Sequence, residues 1–245
     1  AITTMLIDHL GAAVFVGTPY YTPMRVVGRL AFPIFAYCIA AGCVFTRDIG
    51  RYALRIGISA IIAQPFYVAA LHPELMQGLS MPADLYRVGA WLPAAMGRPN
   101  ILFALLAGVL IIWSIRDQRY AVTAVLFALA WFFRGKLDYG INGVLLMVAF
   151  YALIDRPLAS LAWVSAVMLV MGMPNLAGIA TFGAGQQLGA AVSGLRGYVP
   201  IQLYAMLALP LIYLPMNTGV KVNKYVFYAF YPAHLLLIAL IRIFA

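Results

Sequence analysis

The opening stretch AITTMLIDHLGAAVFVG, residues 1–17, is apolar enough for a membrane helix, yet Asp8 and His9 stand side by side within it. An ionisable side chain at bilayer depth costs roughly 3 kcal/mol or more and marks a functional position. Beyond this stretch the same apolar character continues. A span needs about 20 apolar residues, and such windows recur along the chain between short breaks that carry charge, glycine or proline. The 245 residues are 65% hydrophobic and 9% charged. Their mean hydropathy of +0.96 lies far outside the soluble globular range. The runs are continuously apolar rather than alternating, which excludes a transmembrane barrel. The expected fold class is all-α, a polytopic transmembrane helical bundle of about nine spans (roughly 8–10) in a single integral membrane domain over residues 1–245.

Spans are expected near 1–17, 28–46, 52–71, 99–115, 120–134, 141–155, 159–174, 200–216 and 225–244. The stretch 175–199 is apolar but carries Gly178, Gly183, Gly185, Gly189, Gly194 and Gly197. A broken helix, a re-entrant segment and an extra span all fit it. The longest break, 72–98, contains Leu85, Val88, Leu92 and Ala95 at helical spacing with Trp91 nearby. It reads either as a short interfacial helix or as a lid-like connector.

The formal net charge is +9. In a membrane chain this excess gathers at cytoplasmic edges, so membrane lipid rather than nucleic acid is the expected partner. One set of breaks would hold Arg47, Arg51, Arg55, Arg116, Arg119, Arg156, Lys221 and Lys224, the other Arg25, Arg29, Arg87, Arg98, Arg134, Lys136, Arg196 and Arg242. The first set sits in shorter links, which places it and the N-terminus in the cytoplasm. Cys38 and Cys43, five positions apart on one apolar helix, read as small apolar fillers. No basic n-region precedes the first span, so no signal peptide is visible. The shortness of that span predicts further residues ahead of it.

The polar residues within the apolar runs are the candidates for chemistry. His9 lies half-way through the first span and His234 about ten residues into the last, in VFYAFYPAHLLLIALI. A lone membrane histidine is often an interhelical hydrogen-bond partner. Two of them with an adjacent aspartate point to proton transfer. Asp8 and His9 point about 100° apart on a helix, so Asp8 pairs with an arginine or reaches His234 rather than orienting His9. Arg29 opens the second span, Gln64 lies within the third, Asn100 starts the fourth, and Tyr139 and Asn142 open the sixth. Singly, each reads as a cap or an interhelical bond; together they line one polar cavity. Asp8, His9 and His234 barely supply three metal ligands and show no ligand spacing within a helix, so no metal is expected.

The pieces IDH, GRLAFPIFAY, IIAQPFY, NILFALLAG, DYGINGVLLM and FYPAHL follow one another in this order across nearly the whole chain. Together they resemble the TraX family of conjugative pilin acetylases, related to the transmembrane acyltransferases. One departure is the absence of a Lys or Arg just ahead of the first span. The resemblance implies an acyltransferase-like domain in the bacterial inner membrane. Its implied reaction is transfer of an acetyl group from cytoplasmic acetyl-CoA to the N-terminal amine of pilin. It places His9 at the catalytic histidine, with Asp8, Arg29, Gln64, Asn100, Tyr139, Tyr231 and His234 on shared positions. Arg47, Arg51, Arg55, Lys221 and Lys224 suit the CoA phosphates, although simple positive-inside anchoring accounts for each singly. His234, Tyr139 and Asn100 are candidate oxyanion donors. A transporter, or a non-catalytic subunit that positions pilin, is the alternative function.

Overall fold

The apolar runs fold as helices. The structure is a computed structural model that describes residues 1–76, 93, 95–172, 201–214 and 224–244. Among these residues there is no strand. In chain order the helices are α1 (Ile2–Ala13), α2 (Tyr21–Gly28), α3 (Ala31–Phe45), α4 (Ile49–Leu71), α5 (Ile101–Arg116), α6 (Tyr120–Phe132), α7 (Gly140–Ala152), α8 (Pro157–Gly172), α9 (Leu209–Tyr213) and α10 (Lys224–Phe244), with 3₁₀ turns at Pro73–Met76 and Ile201–Ala208. The all-α fold class expected from the sequence is the one observed. The stretch 175–199, the interfacial helix around Leu85 to Leu92, and Lys221 lie outside the described residues.

Among the described residues, two helical runs are long and apolar enough to cross a membrane: Tyr21–Phe45, 25 residues, and Ile49–Leu71, 23 residues. At 1.5 Å per residue each exceeds the ~30 Å hydrocarbon core. The other apolar helical stretches are shorter, 10–17 residues, among them Val226–Arg242 within α10. Leu54, Ile58, Ile61 and Ile62 on α4, and Val122, Val125 and Leu129 on α6, are exposed. An apolar exterior on this scale is foreign to soluble monomers and is that of a membrane protein.

Two boundaries depart from expectation. The first helix stops at Ala13 instead of running to 17, and the chain turns back into α2. The second span begins at Tyr21, not 28. A basic residue reads as a membrane edge in sequence, but the helical run passes through Arg29 because Asp8 on α1 neutralises it inside the bundle. Gly11 and Gly28 allow α1 and α2 to approach. A methyl on Gly11 would lie 2.9 Å from Met24 Cβ, and one on Gly28 would overlap Asp8.

The direction of the helices sets the site. Arg242 on α10 donates to the Ala70 carbonyl at the end of α4 (2.8 Å), so the two helices run parallel. α1 runs the same way: Ile2 lies beside Tyr52 and Phe227 in one cavity, while Asp8, His9 and Ala12 lie beside Tyr67 and Leu71 in another. His234 sits eight residues before Arg242, about 12 Å below the Ala70 end of a helix some 35 Å long. The histidines are therefore at mid-bundle depth. The buried core between them and the rest combines Met5, Ala63, Tyr67, Val68, Tyr231, Leu235 and Ile238.

Candidate functional site

A cavity of about 460 Å³ opens among α1, α2, α3, α4, α10 and the links at 98–101, 138–139 and 202. Its size falls in the ~300–1,000 Å³ range of small-molecule sites. Asp8, His9, Arg25, Arg29, Tyr67, His72, Arg98, Asp138, Tyr139, Gln202 and Tyr231 supply its polar wall.

Asp8 is held by two arginines. Arg25 Nη1 lies 2.7 Å from Oδ2, and Arg29 Nη2 spans both oxygens at 3.0 and 3.2 Å. Arg29 is fully engaged: its Nε donates to the Arg25 carbonyl (3.4 Å) and its Nη1 to Gln202 Oε1 (3.3 Å). Removing one partner of such a buried group would strand the others. The sequence left Asp8 a choice between an arginine and His234, and the structure pairs it with arginine.

His9 and His234, 225 positions apart, meet at 2.8 Å between Nδ1 of the first and Nε2 of the second, with near-parallel rings. The hydrogen-bond pattern fixes their roles. His234 Nδ1 lies 2.7 Å from the Phe230 carbonyl; a carbonyl only accepts, so that nitrogen carries a proton. In a neutral ring its Nε2 is then an acceptor, and His9 Nδ1 must be the donor. This leaves the lone pair of His9 on Nε2, the nitrogen that remains for the cavity. His9 lines the cavity and His234 stands behind it. His234 therefore positions His9 and sets its tautomer; it does not reach the cavity wall.

The link before α7 holds Tyr139, which the sequence reading named, and Asp138, which it passed over. Tyr139 has φ +62° and Gly140 φ +55°. A non-glycine residue in the left-handed region is strained, and such strain gathers at functional sites. The turn stacks Tyr139 on Phe32, 3.9 Å between ring centroids, and sets Asp138 into the cavity wall. Burial pushes the Asp138 carboxyl up to about 6, against the pull of His72, Arg29 and Arg98. Asp138 lies inside the DYGINGVLLM stretch, and its acidity next to Tyr139 was the signal that could have revealed it. Arg25, His72, Arg98 and Gln202 carried no comparable signal, being read as edge charges, a loop residue and a span start.

The family model for "TraX protein" matches residues 1–242. The chain belongs to the TraX family. It is also 28% identical over 255 residues to a protein described as probable fimbrial assembly protein FimC, serogroup H1, of Dichelobacter nodosus, covering 100% of this chain and 93% of that protein. No solved structure matches it.

Other residues expected at the site of this TraX-family protein fall elsewhere. Gln64 and Asn100 form a closed knot beneath the cavity. Gln64 Nε2 donates to the Ala95 and Arg98 carbonyls, and its Oε1 accepts from the Asn100 backbone (2.9 Å) and side chain (2.8 Å). Asn100 Nδ2 also reaches the Ala60 carbonyl (2.8 Å), and its Oδ1 caps α5 at Leu102 N (3.0 Å). The knot satisfies a stretch of irregular backbone that descends to the level of Ala60, where water cannot. Asn100 has no amide proton left for an oxyanion. Asn142 does not line the cavity. Tyr231 does; it is 4% exposed, and its hydroxyl has no partner at hydrogen-bond geometry, although the Ile101 backbone lies close enough to act on it electrostatically.

At the other end of α4 lies the basic edge. Arg47 and Arg51 are exposed and Arg55 half-buried. Arg51 pairs with Asp48 (2.9 Å), which also caps α4 by accepting from Arg51 N. Arg116 donates to the Cys43 and Thr46 carbonyls at 3.0 Å. The side chain of Lys224 is not among those described. Between this edge and the polar cavity is a second cavity of about 290 Å³, lined by Ile2, Cys38, Tyr52, Ile56, Ser59, Leu105, Phe227 and others. The two cavities share Met5, Phe35, Ile101 and Tyr231 as a common wall.

Proposed function

We propose that this protein is a membrane-embedded, multi-pass acetyltransferase of the bacterial inner membrane. In this reading it moves an acetyl group from cytoplasmic acetyl-CoA to the N-terminal amine of pilin during pilus assembly. Membership in the TraX family and the fimbrial-assembly name of the Dichelobacter relative support the setting. The observation that carries the chemistry is the His9–His234 pair, which leaves a neutral imidazole nitrogen, His9 Nε2, for a cavity of ligand size.

The reaction needs a neutral amine, and an unperturbed α-amine loses its proton at about pH 7.7–8.0. As the amine nitrogen bonds to the thioester carbonyl carbon, His9 Nε2 takes its proton. The resulting imidazolium keeps its Nδ1–H bond to His234 Nε2. When the carbon–sulfur bond breaks, His9 returns the proton to the sulfur, giving amide and thiol. Tyr139 and Tyr231, both residues of the cavity wall, are the candidate hydroxyl donors for the oxyanion. The apolar cavity leads from the basic edge toward that point, and its walls suit the uncharged arm of CoA. Arg47, Arg51 and Arg55, with Lys221 and Lys224, are the proposed phosphate ligands.

The test is purified protein in liposomes with radiolabelled acetyl-CoA and pilin, followed by mass spectrometry of the pilin N-terminus. A gain of about 42 Da on the terminal amine, absent with His9→Ala, is the expected result. Label that crosses the bilayer without reaching pilin would replace the enzyme with a transporter.

A further inference from the structure

We propose that Asp138 is the docking carboxylate for the protonated amine of the acceptor, and that the cavity selects amine-bearing chains through it. The inference rests on the reading of the cavity as an acyl-acceptor site.

Every other carboxylate among the described residues is accounted for. Asp8 is closed by Arg25 and Arg29. Asp48 pairs with Arg51, Glu74 with His72 and Asp117 with Arg119. Asp155 is exposed to solvent. Asp138 alone lines the cavity without a hydrogen bond or ion pair to any described residue. A largely buried carboxylate in this condition is unfavourable unless something supplies the missing contact. Arg29, Arg98 and His72 act on it from a distance, which sustains its charge without filling its coordination.

The backbone gives a second, independent reason. Two consecutive left-handed residues, Tyr139 and Gly140, end the link directly after Asp138. The Tyr139–Phe32 stack braces that turn against α3. The carboxylate is thus held in the wall by a strained and braced backbone, as a recognition group should be. A primary ammonium has three N–H donors and one positive charge, which matches a carboxylate with no acceptor site taken by a described residue. At Asp138 itself an acceptor carboxylate or phosphate would meet a like charge, so Arg25, Arg29 and Arg98 are left as the anion-attracting part of the same wall, and a hydroxyl would forgo the charge. Asp138 captures the ammonium at the cavity. Once the amine has lost one proton to water, it is free to move toward His9.

The experiment measures binding without turnover. A decapeptide with the sequence of the mature pilin N-terminus, free-amine or N-acetylated, is equilibrated with the full chain in nanodiscs without acetyl-CoA. The wild type should prefer the free amine by about tenfold or more, as one charge-assisted contact provides. Asp138→Asn should bring the two forms within about twofold, and Asp138→Glu should retain part of the preference. Equal binding of both forms by the wild type, or an undiminished preference in Asp138→Asn, would overturn the assignment. A companion assay separates it from the acetyltransferase reading. Transfer by Asp138→Asn with an unchanged peptide KM would reject the docking role and leave the enzyme. Preferential amine binding without any acetyl transfer would reject the enzyme and leave the docking site.

Discussion

Two groups of polar side chains interrupt the apolar helices, and they have opposite fates. Gln64 and Asn100 commit every amide hydrogen bond to each other and to nearby backbone, and they close a gap in the bundle. His9, Tyr139, Tyr231 and Asp138 stand in the wall of one cavity with bonding capacity left over. Both groups sit at membrane depth or near it, and both look alike in the sequence. The cost of burying a polar atom is offset in the first group by the protein itself. In the second it is left for a ligand to offset. Unused hydrogen-bonding capacity, rather than polarity, separates site from scaffold.

The largest effect expected from breaking this contrast is at His9. His9→Ala should lower the acetyl-transfer rate about 10²–10⁴-fold, the range for a lost general base, with little change in melting temperature. His234→Phe should give a smaller loss of rate, because it removes the partner that sets the His9 tautomer but leaves the base in the wall. A His234→Phe variant slower than His9→Ala would show that His234 itself meets substrate.

Next is the ion pair that bridges α1 to α2. Asp8→Ala strands two arginines, and a loss of about 3 kcal/mol of stability is expected. Gly28→Ala should reproduce much of that loss, since its methyl would occupy the place of the Asp8 side chain. Thermal unfolding in detergent checks both; an unperturbed Gly28→Ala would mean that α1 and α2 can separate freely.

Gln64→Leu tests the scaffold side of the comparison. It leaves the Ala95 and Arg98 carbonyls and the Asn100 N–H without partners, worth about 2–3 kcal/mol of stability. The rate per folded molecule should stay near wild type. A fall in kcat at full folding would move Gln64 into the site.

Asp138 adds a pH signature. Its folded carboxyl is raised from 3.8 to about 6, so the folded state holds the proton more tightly than the unfolded one. Wild-type stability should therefore fall as pH rises from about 4 through about 6, by at most ~3 kcal/mol. Asp138→Asn should lack this slope. It should be the more stable protein at pH 7.5 and lose the advantage near pH 4, as unfolding curves across that range would show.

The smallest effect belongs to the basic edge. The Arg51 side chain is 78% exposed, so the double change Arg47→Gln, Arg51→Gln should leave stability within ~0.5 kcal/mol. The apparent KM for acetyl-CoA should rise severalfold with kcat nearly unchanged, because phosphate binding is common to ground and transition states. An unchanged KM would leave these residues with anchoring alone.

Composition and continuous apolar runs were sufficient for the all-α class, because a chain that is 65% hydrophobic can satisfy its backbone in lipid only as helices when it does not alternate. Asp8, His9 and His234 were visible for the same reason: charge and imidazole are conspicuous where every neighbour is apolar. Ordered short motifs then pointed to the family. The sequence did not place helix ends, since Arg29 looks like a membrane edge until Asp8 is found against it. Nor did it rank the polar residues. Whether a side chain commits its hydrogen bonds to the protein or keeps them for a cavity depends on what lies across the bundle, up to 225 positions away for the His9–His234 pair. That pairing requires the two histidines to lie at one depth on facing sides of α1 and α10. Only the packing of the whole bundle sets their direction and depth, and with them the nitrogen of His9 that is left to react.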